Sequence, residues 1–463
     1  MDGSQRIDPY LSGNFAPVRS EDDFVLKVTG EIPAGLNGAY YRNGPNPQFD
    51  PIDDYHWFSG DGMIHGFFVE DGQVRYRNRY VRTPKWALEN AAGRSLFGTL
   101  GNPMKSDPSV AGKDGGVGNT NILWHGGRLM ALEEAHPPFE MDPVSLESRG
   151  YLDQYRGRVT AHPKIDPDTG EMVWFAYSAG ATPLNATVSY GVTDANGVVT
   201  RRDDFEAAYC SMVHDFMVTR RHVLFPILPL TGSLQRVMTG GPAFAWEPDK
   251  GAHVGVMARD AGVETIRWFQ TEACYVFHPM NAWEEGDKIF ADVMEYPSAP
   301  LFPNVDGSRG QDAKARLVRW TFDLAGPSDQ IKRQPLDDLA GEFPRFDERR
   351  AGLSYRHGWF AAGSVESDDR GFRGIAHVDL STGKRSTYSF EAGDGAGEPV
   401  FTPRSADAPE GDGWIIATVY RGAENRSDLV IFDAQDIEAG PIAIAQMPRR
   451  VPFGFHGNWR SAA

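Results

Sequence analysis

The stretch Arg267-Trp-Phe-Gln-Thr-Glu-Ala-Cys-Tyr-Val-Phe-His278-Pro-Met-Asn281 reads as a β-strand up to Phe277. It is built of aromatic and β-branched residues, and the His-Pro step predicts its end, because proline cannot donate to a ladder. On a strand of period two, Glu272, Cys274, Val276 and His278 share one face, so His278 stands where a mostly apolar strand runs out. A histidine in that position is either a hydrogen-bonded core residue or a metal ligand. Three more segments place a histidine in a similar apolar or turn-flanked setting: Val159-Thr-Ala-His162-Pro-Lys, Cys210-Ser-Met-Val-His214-Asp-Phe and Pro452-Phe-Gly-Phe-His456-Gly.

Outward from this stretch the chain is dense in short strand-like runs separated by turn chemistry. Phe67–Val69 and Val74–Val81 flank Glu-Asp-Gly-Gln, and Asn121–Trp124 and Leu129–Leu132 flank His125-Gly-Gly; both are hairpin signals. Met172–Tyr177 follows a turn at Asp166–Gly170, and Val188–Val192 is joined to Val198–Thr200 by Asp-Ala-Asn-Gly. Later pairs are Ile375–Leu380 with Ser386–Phe390, and Trp414–Tyr420 with Leu429–Phe432. Helix signals are few. The best is Pro84–Phe97, with Thr83 as N-cap and a weakening Gly93; Asn281–Glu285 offers one further turn. Residues 1–37 read as an irregular N-terminal segment packing on the rest. Many short hairpins, with 51 glycines and 32 prolines and no linker or composition break, predict a single all-β closed domain over 1–463, best accommodated by a propeller.

The net charge of −17, with no Lys/Arg block to offset it, argues against nucleic acid and anionic membrane surfaces as partners. Cys210 and Cys274 are the only cysteines; two in so long a chain make no disulfide framework, so a reducing cytoplasm is the expected compartment. The N-terminus lacks an apolar signal region and no run of about 18 apolar residues occurs, so no integral membrane contact is expected.

His162, His214, His278 and His456 lie 52, 64 and 178 residues apart. That is wrong for a local zinc module, whose ligands are a few residues apart. It suits a propeller in which separate blades each send one residue to the axis, and an all-imidazole set suits Zn, Cu, Fe or Ni. Ligating imidazoles donate their other N–H to a carboxylate or carbonyl, and Glu134, Glu342 and Glu398 stand in apolar or turn contexts. Spacing alone does not single out these four histidines from the chain's 12, and each glutamate taken by itself reads equally as a surface or turn residue.

The motifs taken together decide further. Gly38-Ala-Tyr-Tyr-Arg-Asn-Gly-Pro-Asn-Pro47, His56-Trp-Phe-Ser-Gly-Asp-Gly-Met-Ile-His65, Ser95-Leu-Phe-Gly98, Gly118-Asn-Thr-Asn121, Thr160-Ala-His-Pro-Lys164, Met212-Val-His-Asp-Phe216, Phe277-His-Pro-Met-Asn281, Gly341-Glu-Phe-Pro-Arg345, Gly397-Glu-Pro-Val-Phe401 and Pro452–Gly457 occur in order along nearly the whole chain. In this set the sequence resembles the carotenoid cleavage oxygenase family, and within it the bacterial lignostilbene- and resveratrol-cleaving dioxygenases. The resemblance implies a seven-bladed β-propeller with Fe(II) on its axis and a cap of loops and short helix over the active site. It puts the iron ligands on His162, His214, His278 and His456, and their carboxylate partners on Glu134, Glu342 and Glu398.

The implied reaction is cleavage of a carbon–carbon double bond by O2 into two carbonyl fragments, with no organic cofactor and no acid or base residue beyond the metal centre. A hydrophobic cavity would hold the planar alkene. Stilbene-cleaving members bind the substrate's 4-hydroxyl with a Tyr and a Lys; Leu100 and Glu133 fall at those positions here, while Phe58 keeps a pocket aromatic. A carboxylate beside a phenolate is repulsive, so the substrate sits otherwise or is not a 4-hydroxystilbene. The expected substrate is a stilbene-like or phenylpropenoid alkene. The alternatives are an apocarotenoid, or a propeller that serves as a metal-binding scaffold without catalysis. A homodimer is expected by analogy with relatives. Cys274 reads as a small buried hydrophobe, His65 as structural, and His56 as a neighbour of the cavity.

Overall fold

A computed structural model describes residues 8–100, 103–363 and 371–462. The stretch Arg267–Asn281 is a junction between two sheets rather than one strand. Arg267–Thr271 pairs with Ala252–Ala258, and Tyr275–Glu285 opens the next sheet against Lys288–Tyr296. Glu272 lies in the break, its side chain 95% exposed, whereas Cys274 is fully buried, so the two do not share a strand face. Pro279 does not end the strand either. The register shifts between Val276 and Pro279 and again between Pro279 and Asn281, and an irregularity of this kind relieves proline of the ladder bond it cannot donate. The turn of helix expected at Asn281–Glu285 is therefore strand.

The molecule is built mostly of antiparallel sheets that follow one another along the chain. The strands at 23–25, 73–80, 62–70, 38–45 and 457–461 form the first sheet; 121–125, 128–132, 139–141 and 148–151 the second; 164–165, 172–176, 187–193 and 199–206 the third. A fourth holds 217–218, 222–227, 252–258 and 267–271, and a fifth 275–285, 288–296, 316–323 and 332–335. A ten-stranded sheet takes the remainder, except for a small two-stranded ribbon, Leu230–Gly232 with Phe244–Trp246. The N-terminal segment is more ordered than its composition suggested: Asp23–Val25 pairs with residues 75–77, and Lys27–Gly30 pairs with Ala443–Gln446. Residues 1–7 of that segment lie outside the described residues. The C-terminal strand Gly457–Ser461 closes on Gly38–Arg42, so both ends of the chain are held by sheet pairing.

Turn chemistry places the hairpins. Asp71 and Gly72 have φ of 49° and 75°, and Gly126 and Gly127 have 56° and 75°, the paired positive values that a tight two-residue hairpin requires. The helix spans Pro84–Ala92, with the Thr83 hydroxyl accepting from the Trp86 amide at 3.3 Å. It ends short of Phe97 because Gly93, at φ 66°, is its left-handed C-cap. Beneath it Lys85 Nζ donates to Asp61 Oδ1 at 2.7 Å and to Glu89 Oε2 at 2.8 Å, all three side chains buried. Glu89 Oε1 in turn accepts from the amides of Leu96 and Phe97 at 2.8 and 3.0 Å. This triad thus fixes the segment that leads to Leu100, whose amide donates to Ser59 Oγ at 2.8 Å.

Removing the cation strands two buried carboxylates. Lys85→Met is expected to cost about 3–5 kcal/mol of stability, the usual penalty for breaking a buried pair from one side. Urea unfolding checks it, and a loss below about 1 kcal/mol would mean that water reaches the triad.

Candidate metal centre

The four histidines enter the site from separate sheets. His162 and His214 lie two to three residues before the strands at 164–165 and 217–218, His278 is within Tyr275–Glu285, and His456 immediately precedes Gly457–Ser461. All four are buried, and one ring nitrogen from each lies within 4.8 Å of the others. His162 Nε2 is 3.0 Å from His214 Nε2, which is 3.1 Å from His278 Nε2. The His456 ring is centred 4.5 Å from that of His162 and 4.8 Å from that of His278.

The outward nitrogens meet carboxylates. His278 Nδ1 is 2.5 Å from Glu342 Oε2 and His456 Nδ1 is 3.0 Å from Glu398 Oε1, while His214 Nδ1 lies against Glu134 Oε1. His162 Nδ1 has Asp215 Oδ2 at 3.7 Å, and that carboxylate is held by Lys164 Nζ at 2.7 Å. A carboxylate only accepts, so each imidazole bonded to one carries its proton on Nδ1 and turns an Nε2 lone pair inward. The Nε2 lone pairs of His214 and His278 then face one another across 3.1 Å, with His162 Nε2 3.0 Å from the first. That arrangement is repulsive when bare, and a cation satisfies it. The donor set fits a metal ion.

Electrostatics keep three of the four rings neutral. Burial, then the neighbouring histidines, holds His162 and His278 well below the ordinary imidazole value, and His456 is lowered to about 4, chiefly by burial. His214 differs: burial lowers it, but Glu134, Asp215 and Glu342 outweigh that and pull it up. Among the carboxylates, burial pushes Glu342 up to about 8. Glu398 resists the same burial and sits at about 2, because Arg345 and His456 stabilise its charge; Arg345 Nη1 is 3.3 Å from it.

Several neighbours were not singled out by sequence reasoning. Phe343, at φ 54° beside Glu342, occupies a region costly for a non-glycine residue. Its ring lies 5.4 Å from that of His278 and 5.3 Å from that of His456. Tyr177 Oη donates to Glu134 Oε2 at 2.5 Å. Asp215, Lys164 and Arg345 stand in the same motifs as the ligands and could have been noticed there. Phe343 stands in the same motif as Glu342 and Arg345, but its residue type does not reveal its backbone angle.

Near the centre, Phe58 packs edge-on to Phe455, the neighbour of His456, at 5.3 Å and to Phe302 at 6.1 Å. His56 joins this wall, 5.1 Å from Phe58 and 5.6 Å from Phe302. Leu100 packs with Phe58 against the largest apolar core. Glu133 is already engaged: its Oε1 accepts from the Val117 amide at 2.9 Å and lies 2.9 Å from His136 Nδ1. Neighbouring glutamates therefore diverge, Glu134 to His214 and Glu133 to His136. The remaining histidines are accounted for by the frame: His65 Nδ1 is 2.7 Å from Tyr76 Oη, and His357 Nδ1 is 2.9 Å from His377 Nε2. Both cysteines are free and buried, and burial raises Cys210 to about 11. Among the described residues no helix is long and apolar enough to cross a membrane.

The family described as RPE65, retinal pigment epithelial membrane protein, matches residues 15–461. The chain is 40% identical over 473 residues to an isoeugenol monooxygenase of Pseudomonas putida, covering 98% of each. It is 38% identical over 477 residues to lignostilbene-α,β-dioxygenase isozyme III of Sphingomonas paucimobilis, covering 98% of this chain and 97% of that one. The crystal structure of a lignostilbene dioxygenase of Pseudomonas brassicacearum superimposes with a TM-score of 0.94 at 35% identity, over 98% of both chains.

The histidine shifts give the metal-free protein a defined acid sensitivity. Burial, the largest cause in both, lowers His456 and His377 to about 4 from 6.5, so the unfolded chain takes up these protons first as pH falls. Their contribution is complete above about pH 6.5 and lost progressively to pH 4, at up to about 1.4 kcal/mol per pH unit per proton. Urea unfolding across that range should show the slope, and His377→Gln should reduce it by about one proton. A flat profile would contradict the burial of neutral rings.

Proposed function

We propose, because this chain belongs to the RPE65 (carotenoid cleavage oxygenase) family, that it is a non-haem Fe(II) oxygenase cleaving the double bond of a stilbene-like or phenylpropenoid aromatic alkene with O2 to give two carbonyl products. The observation that carries the reading is the convergence of four buried imidazole nitrogens within 4.8 Å. The two curated relatives described above are named for isoeugenol and lignostilbene, both aromatic alkenes, and this supports the substrate class. Family membership makes the chain an oxygenase.

In this reading His162, His214, His278 and His456 hold the metal, and Glu134, Glu342 and Glu398 orient the last three through their Nδ1 protons. Fe(II) bound there would supply the activation of O2 that the cleavage needs. The chain's own part is positioning and exclusion of water. Phe455 and Phe277 adjoin ligands in sequence, and Phe277 meets the His214 ring edge-on at 5.1 Å, so apolar surface reaches the centre itself. Phe58 and Leu100 provide the wall against which a flat ring stacks. With Glu133 committed to His136 and Val117, its charge is balanced locally, and the alkene is held by shape rather than by a cation at its phenol end. No side chain serves as general acid or base.

The frame we propose is one seven-bladed propeller domain spanning residues 1–463. Support comes from the five consecutive sheets of four or five strands, together with a ten-stranded sheet that divides at Gly395–Ala396 into two further groups, 341–389 and 400–446. The helix Pro84–Ala92 and the loop to Leu100 form part of the cap. Two unpaired buried thiols support a cytoplasmic location, and a homodimer is carried over by analogy alone.

Metal analysis and an aerobic assay test the reading. Iron-loaded protein should form aldehyde from isoeugenol or a hydroxystilbene. Turnover of long polyenes alone would move it to apocarotenoids, and a protein without affinity for Fe(II) would be a scaffold. His278→Ala should abolish iron retention, and Glu398→Ala should weaken it by about 10–100-fold.

A further inference from the structure

A second polar site lies where the first sheet meets the ten-stranded one. Arg42, on the strand Gly38–Pro45, is 1% exposed, and its Nε and Nη1 have no hydrogen-bond partner. Among the described residues no ion pair engages it, whereas the more exposed guanidinium of Arg345 in this region has both Glu348 and Glu398. The guanidinium is threaded between two glycines. A Cβ on Gly397 would come 3.0 Å from Nη1, and one on Gly454 3.3 Å from Nε, so the chain makes room for this group and then leaves it without a counter-charge.

Arg42 lines a small cavity with about 10 Å³ open to the centre of a water-sized particle, room for one small guest. Its wall also holds Thr418, Ser427, Asn14 and the Phe453 ring, over which the guanidinium carbon lies at 5.9 Å. The Ser427 hydroxyl oxygen accepts from the Val451 amide at 2.9 Å, and its proton has only a long bond, 3.4 Å, to the Val451 carbonyl, which a charged acceptor in the cavity would outcompete. The Asn14 amide has an unpartnered buried Oδ1. Rotation about its last torsion puts an N–H₂ there instead, an exchange decided by whatever occupies the cavity.

We propose that this cavity binds a single halide-sized monovalent anion, held by Arg42 with the hydroxyls of Thr418 and Ser427. An arginine does not shed its proton in a protein, and burying its charge unpaired is costly unless an opposite charge accompanies it. Water would offer a dipole only; an anion supplies the missing charge and accepts from every donor in the wall. The guest would pin the strand Gly38–Pro45 to Gly413–Arg421 and Arg426–Asp433, and so fasten the N-terminal sheet to the sheet that carries Glu398.

Bromide is the probe. Crystals of the full chain grown with bromide in place of chloride should give an anomalous peak at the bromine edge within hydrogen-bond distance of the Arg42 guanidinium. In solution, at fixed ionic strength, the thermal midpoint should rise when chloride or bromide replaces gluconate. Arg42→Met should abolish that dependence, and Thr418→Val, which keeps the charge and the shape, should weaken the apparent halide affinity several-fold. If Arg42→Met does not fold, Thr418→Val and the crystal decide. Water density without an anomalous peak, or salt curves identical in wild type and Thr418→Val, would overturn the proposal.

Discussion

Four imidazoles cannot rest with their lone pairs pointed at one another. The carboxylates Glu134, Glu342 and Glu398 fix protons on the outer nitrogens of His214, His278 and His456, which turns the inner nitrogens of His214 and His278 on one another at 3.1 Å. A positive centre reconciles that geometry with burial. The sheets bring four distant segments to this point, Phe277 and Phe343 pack against its rings, and the outer carboxylates set the tautomers of three of them. The rest of the structure can be understood as the means of holding this repulsive set together.

Burial acts on the outer carboxylates unequally, and the reason is local. Glu398 has Arg345 beside it and stays ionised, whereas among the described residues Glu342 has no arginine or lysine ion pair, and burial pushes it towards its neutral form. A bound metal would restore the balance by adding charge on the far side of His278. His162 is set apart from the other three: its outer nitrogen has only Asp215 at 3.7 Å, and that carboxylate is already claimed by Lys164. The ligand set is thus graded from tightly oriented to loosely oriented. The positive φ of Phe343 is a local cost met by the packing of its ring between two ligands.

What the sequence made legible follows from how local each signal is. The hairpins at 67–81 and 121–132 were readable because Asp71-Gly72 and Gly126-Gly127 carry their own backbone preference. The end of the helix at Gly93 is not legible in sequence, since a glycine is both a weak helix former and a good terminator and only its φ of 66° distinguishes the two. Pro279 looked like a strand end because the irregularity that accommodates it depends on the partner strand Lys288–Tyr296. Asp23–Val25 and Lys27–Gly30 looked irregular because edge strands are defined by strands 50 and more than 400 residues away. The metal centre was the extreme case. Nothing within any one segment distinguishes His278 from a core histidine, and the four were recognisable through a family's combined motifs rather than through spacing.

The account rests on convergence, and X-ray absorption at the iron edge of the iron-loaded protein tests that most directly. It should give four nitrogen scatterers with the outer-shell pattern of imidazole, reduced to three in a variant lacking one of the four histidines that still retains iron. A shell of fewer imidazoles completed by carboxylate oxygen, or one unchanged by loss of a histidine, would contradict it.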